Sequence, residues 1–241
     1  MKVEARHLRA IKKTKWRSLM GAFVNITASD GHSLSAYEAN PTGTPKGEIV
    51  VIQEIFDVNE HIREVTDKFA SEEFSALAPA LFDPVKPGIA LGYGPDDRDE
   101  GMATRAKINS KDAVEDVIAA GEFLEKAGKV GIVGYCYGGT MAWLGECKGG
   151  FRAASGYYGG GIHENLDLDS TCPVELHFGS EDQGIPIENV DLIRSAKPNL
   201  NIYIYEGAGH GFMCDHRPSF DLTATNLALT RTLEFFNQHL G

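Results

Sequence analysis

Residues 131–139 read GIVGYCYGG, a short apolar run that ends in a glycine-rich turn with Cys136 at its centre. The run is preceded by Lys129-Val130 and followed by the amphipathic segment GTMAWLGECK, so Cys136 falls between an expected strand and an expected helix. Glycines stand two residues to either side, at Gly134 and Gly138, with Gly139 next. A nucleophile elbow demands this spacing: its backbone is strained, and side chains flanking it would strike neighbouring strands or the helix. The helix that begins at Tyr137 offers free N–H groups and a favourable dipole to negative charge. On the blander reading Cys136 is a small buried residue in a tight turn. The spacing is neither G-x-G-x-x-G nor G-x-x-x-x-G-K-[ST], and no C-x-x-C occurs, which excludes dinucleotide, P-loop and thioredoxin-type readings.

The rhythm around this elbow sets the fold class. On either side of Asp30-Gly31, VNITASDGHSLSAYEAN alternates apolar and polar residues, the signal of an N-terminal antiparallel hairpin. From Gly47 onward short apolar runs (EIVVIQEIF, FSALAPALF, KVGIVGY, RAASGYYG, VELHFG, NIYIYEG) alternate with segments of helical spacing. The latter include HIREVTDKFASE, SKDAVEDVIAAGEFLEKAG with Ser110 as its expected N-cap, IENVDLIRSA and LTATNLALTRTLEFFNQHL. Such alternation predicts an α/β fold, a mostly parallel central sheet with helices on both faces. Residues 83–109, rich in proline, glycine and charge, read as one long connection that covers a site.

Composition narrows the class further. The 241 residues are 42% apolar and 24% charged, and no stretch nears the ~18 uninterrupted apolar residues of a membrane span. Net charge is −11, but residues 1–20 carry a balance of +6, leaving −17 on the rest. An acidic body disfavours nucleic acid and anionic membranes as partners. Residues 1–20 therefore read as a basic N-terminal arm, and 21–241 as a single α/β domain. The arm lacks the apolar core of a secretory signal, and the four cysteines show no metal-type spacing, so a reducing, cytoplasmic setting is expected. The expected partner is a small molecule, and the chain is expected to be a monomer or small homo-oligomer.

A thiol nucleophile needs a base and a group that orients the base. EGAGHGF puts His210 in a loop directly after the run NIYIY, and HFGSEDQGIP offers Glu181 and Asp182 after the preceding one. Nucleophile, acid, histidine, each after its own strand, is the chain order of α/β-hydrolases.

Several segments now carry a family resemblance. VIQEIFDVN, GYCYGG, GYYGGGI, HFGSEDQGIP and AGHGF followed by RPSFD resemble, in order, signature segments of the dienelactone hydrolase family, over about residues 22–241. The resemblance implies an α/β-hydrolase fold, a Cys136–His210–Asp182 triad, and backbone N–H groups of Ile55 and Tyr137 as oxyanion donors. It also implies a role for Glu54, holding the resting thiol until substrate arrives. Members acting on dienelactone bind its carboxylate with two arginines. Here Arg98 matches the first, but four residues after His210 stands Cys214, with Arg217 only at seven, so either Arg217 swings in or the substrate lacks that carboxylate. Tyr137, Tyr157 and Tyr158 are expected to offer aromatic surface to the substrate, with sheet core the equal alternative for Tyr157 and Tyr158.

The expected activity is hydrolysis of carboxylic esters or lactones through an acyl-enzyme on Cys136, with no metal or organic cofactor. Two alternatives stand beside it: a general small-acyl carboxylesterase, and a non-catalytic hydrolase-fold protein that binds a ligand or senses oxidants.

Overall fold

The computed structural model describes residues 20–241. The basic arm, apart from Met20, lies outside the described residues.

One eight-stranded sheet organises the chain, in the order β1-β2-β4-β3-β5-β6-β7-β8. The expected hairpin forms from β1 (Ala22–Thr27) and β2 (Ser33–Ala39), paired antiparallel from Ala22↔Glu38 to Thr27↔Ser33. Its turn passes through Gly31 at φ 90°, a conformation open to glycine. β2 also runs antiparallel to β4 (Ser75–Pro79), which ties the hairpin to the edge of the parallel part. That part comprises β3 (Glu48–Ile52), β4, β5 (Val130–Tyr135), β6 (Ala153–Tyr157), β7 (Val174–Gly179) and β8 (Asn201–Tyr205). Every residue of β3, β4, β5, β6 and β7 is buried, as a strand covered on both faces must be. On one face α3 (Ser110–Glu125) packs against α4 (Tyr137–Lys148). On the other, Phe69 of α1 (Glu60–Ser71) meets Phe236 of α6 (Leu222–Leu240), ring centroids 6.1 Å apart. α5 (Ile187–Ala196) lies beside a 3₁₀ turn at Ile162–Glu164.

Three expectations need correction. Residues 83–109 are not one loop but contain α2 (Pro95–Arg105). Its charged sequence has no apolar periodicity to announce a helix, yet Pro95 supplies a preset first φ and Asp97 accepts the Gly94 N–H at 3.1 Å. α3 is capped by Asn109 rather than Ser110: the Asn109 side chain accepts from Lys111 N at 2.9 Å, and Ser110 is already helical. β3 ends at Ile52, so Glu54 and Ile55 stand beyond the strand in a turn. α2 rests on that turn through Gly101, where any Cβ would collide with the Ile55 carbonyl.

Candidate active site

The parallel strands deliver their carboxyl ends to one edge of the sheet, and the site lies there. Cys136 joins β5 to α4 at φ 57°, ψ −116°, a strained conformation for a residue with a Cβ. Its N–H is held by the Tyr157 carbonyl at 3.0 Å, and its own carbonyl accepts from Gly139 N at 3.0 Å. The flanking glycines are required by space: a Cβ at Gly134 would fall on the Gly138 carbonyl, and one at Gly138 on the carbonyls of Ile52 and Gln53. β3, β5 and α4 are thus pressed together with backbone against backbone. Tyr137 is the first helical residue, so its N–H has no intrahelical acceptor.

Of the two adjacent acids, Glu181 is exposed and Asp182 is buried against the histidine. Asp182 Oδ2 lies 2.7 Å from His210 Nδ1, while Oδ1 accepts from Gly184 N at 2.8 Å and Ile185 N at 3.2 Å. A carboxylate anchored by its own loop holds Nδ1 and so leaves Nε2 for Cys136. Burial works against a charged imidazole, but hydrogen bonding to Asp182 and to Cys136 outweighs it and raises His210 to about 10. The structure therefore brings together Cys136, Asp182 and His210.

Glu54 is fully buried beyond β3. Its partners are Tyr93, whose hydroxyl donates to Oε2 at 2.8 Å, and Arg217, whose Nη1 donates to Oε1 at 2.9 Å. The hold on the Cys136 thiol that the resemblance implied is replaced here by this pair of donors. Arg217 reaches the site as the partner of Glu54: it lies over the rings of Tyr93 and Phe56, 5.7 and 6.0 Å from their centroids, and against Gly211. Cys214, where an arginine was sought, is wholly buried, and burial together with the Glu54 charge pushes its thiol up to about 12. It is a neutral wall of the site.

Arg98 is not brought to the site: it is exposed on α2. Arg105, one helix end further on, places its guanidinium 5.4 Å from the Tyr137 ring. That ring is buried against Phe82 as well, so Tyr137 does not present aromatic surface openly. Tyr157 is core, stacked on His177 at 4.3 Å. Tyr158 is fully buried, and its ring centroid lies 5.0 Å from that of His210. Sequence reasoning missed Tyr93 because it lies in the stretch read as loop, and missed Arg105 because it stands in a helix without apolar periodicity.

A strained cysteine elbow on a mostly parallel sheet, followed by an acid–histidine pair from beyond the ends of β7 and β8, defines an α/β-hydrolase. The profile of the dienelactone hydrolase family matches residues 34–240. A carboxymethylenebutenolidase of Pseudomonas putida is 33% identical over 226 residues, covering 88% of this chain and 94% of its own. Carboxymethylenebutenolidase 1 of Cupriavidus pinatubonensis is 30% identical over 221 residues, with 88% and 94% covered. A crystal structure from Klebsiella pneumoniae, described as a candidate dienelactone hydrolase, superposes with a TM-score of 0.80 at 27% identity, over 90% of this chain and all of that one. The chain belongs to the dienelactone hydrolase family and is a hydrolase of ester or lactone bonds.

Proposed function

We propose that the chain cleaves carboxylic esters or lactones through an acyl-enzyme on Cys136. The observation that carries this is the 2.7 Å Asp182–His210 pair converging on a cysteine held at φ 57°. His210 takes the Cys136 proton on Nε2, and the hydrogen bond from Asp182 stabilises the imidazolium that results. The sulfur attacks the carbonyl carbon, and the carbonyl oxygen, now an anion, is met by the N–H groups of Ile55 and Tyr137. The C–O bond breaks, and the departing alkoxide takes the proton from His210, leaving a thioester. His210 then deprotonates a water that attacks the thioester, and the acid departs as the thiol is restored. Asp182 keeps the imidazole in one tautomer throughout. No metal or organic cofactor enters these steps.

Removing the thiol tests the proposal. Cys136→Ala is expected to fold as the parent does, by circular dichroism and melting, and to lose turnover; ordinary esterase kinetics in that variant refute it. Stoichiometric labelling by an acylating ester, followed by release, separates an enzyme from a ligand-binding or redox-sensing protein, which would not turn over.

A second reading of the substrate rests on Cys214. A buried neutral thiol replaces the expected cation four residues after His210, and Arg217 already holds Glu54. Both favour a neutral small-acyl ester over a carboxylate-bearing lactone. Turnover of an aryl acetate against such a lactone distinguishes them. A cytoplasmic setting accords with four free cysteines among the described residues, and none of the described helices is long and apolar enough to cross a membrane.

A further inference from the structure

Behind the Glu54–Arg217 pair, four side chains that the chemistry above does not use converge from two elements. His61 and Glu64 stand three residues apart on α1 and so share a face, and Asp215 and His216 lie on the loop between Cys214 and Arg217. One ligating atom from each lies within 4.8 Å of all the others. His216 Nε2 is 2.7 Å from Glu64 Oε2 and 3.8 Å from Asp215 Oδ1, and His61 Nδ1 is 3.9 Å from the same Asp215 oxygen.

An ion-pair staple between helix and loop explains His216 and Glu64 but not His61. His61 is 4% exposed, its Nε2 is buried without a hydrogen-bond partner, and its Nδ1 faces Asp215 from beyond hydrogen-bonding range. A metal on Nδ1 gives this buried ring the polar partner that Asp215, at 3.9 Å, does not.

We propose that His61, Glu64, Asp215 and His216 form a binding site for a divalent transition metal of the zinc class. Two imidazoles and two carboxylates suit zinc, and tetrahedral bonds of about 2 Å place donors roughly 3.3 Å apart, inside the range from 2.7 Å (His216–Glu64) to 4.8 Å seen here. The ion ties α1 to the loop that carries Cys214 and Arg217. One ring nitrogen of His61 also lies within 4.8 Å of a Glu54 oxygen and the Cys214 sulfur, so the metal site adjoins the active site without sharing its nucleophile. The ion has no part in bond cleavage; its role is to fix the loop.

Calorimetric titration of the chelator-treated full chain with zinc, in the parent and in Cys136→Ser to exclude the nucleophile, is expected to show one equivalent bound. Melting temperature is expected to rise with zinc in both. Cobalt is expected to give visible d–d bands without a thiolate charge-transfer band. His216→Ala and Glu64→Gln, both at exposed positions, are expected to melt as the parent does in chelator, and each to weaken zinc binding more than about 10-fold. No heat above the buffer control overturns the proposal. So does binding indifferent to both substitutions, or a charge-transfer band that reports Cys214 or Cys136 as a ligand.

Discussion

Arg217 Nη1 donates to Glu54 Oε1 across 2.9 Å, joining the loop after β8 to the turn after β3 over 163 residues of chain. Glu54 is fully buried and Arg217 mostly so, which makes the two a unit. Arg217→Met leaves a buried carboxylate without its cation and is expected to cost about 3–5 kcal/mol of stability. Adding Glu54→Gln is expected to recover much of that loss. Denaturant midpoints of the two singles and the double measure it; simple additivity would show the pair to be uncoupled.

Asp182→Asn keeps the shape of the acid but favours the wrong imidazole tautomer. Turnover is expected to fall on the order of 10⁴-fold with little change in KM. Asp182 also helps hold His210 at about 10, so the stability linked to its proton is complete below about pH 6.5 and fades as pH rises toward 10. In the variant that fading is expected at lower pH, visible in NMR titration of the His210 ring.

Gly138→Ala drives a Cβ into the carbonyls of Ile52 and Gln53. Backbone must yield, at about 1–3 kcal/mol, and the end of β3 carries Glu54 and Ile55 with it. Activity is expected to drop about 100-fold or more, because small displacements of a positioned donor are costly. Full activity with an unchanged melting temperature would contradict the geometry of the elbow.

Asp57 sits at φ 59° in the same turn, fully buried, with the Val58 N–H and Gln53 near its carboxylate but no well-formed hydrogen bond to either oxygen. Burial raises it to about 8, so the folded chain keeps a proton that the unfolded chain releases above the ordinary carboxyl value of 3.8. Stability from this group therefore falls as pH rises from about 4 to about 8. Asp57→Gly removes both the buried acid and the backbone strain, and is expected to stabilise by on the order of 1–3 kcal/mol at neutral pH. Urea melts at pH 5 and pH 8 are expected to show the larger gain at pH 8; an equal gain would mean the carboxyl does not titrate as argued.

The sequence by itself determined the features whose physics is local. The Asp30-Gly31 hairpin, the strand–helix alternation and the glycines framing Cys136 are each fixed by periodicity or by backbone conformations few residues tolerate. The order Cys136, Asp182, His210 followed, because each stands just past its own strand and parallel strands bring such ends to one edge. What only tertiary structure decided depends on loops packing across the sheet edge. α2 has no apolar stripe and is held by its Pro95–Asp97 start and by Gly101 lying on the Ile55 carbonyl. Arg98 and Arg105 are equivalent in sequence character, yet only Arg105 reaches a residue of the site. The partner of Glu54 is likewise set by distance in space: a buried charge takes whichever donor the folded loops bring within reach, and here those are Tyr93 and Arg217 rather than the thiol.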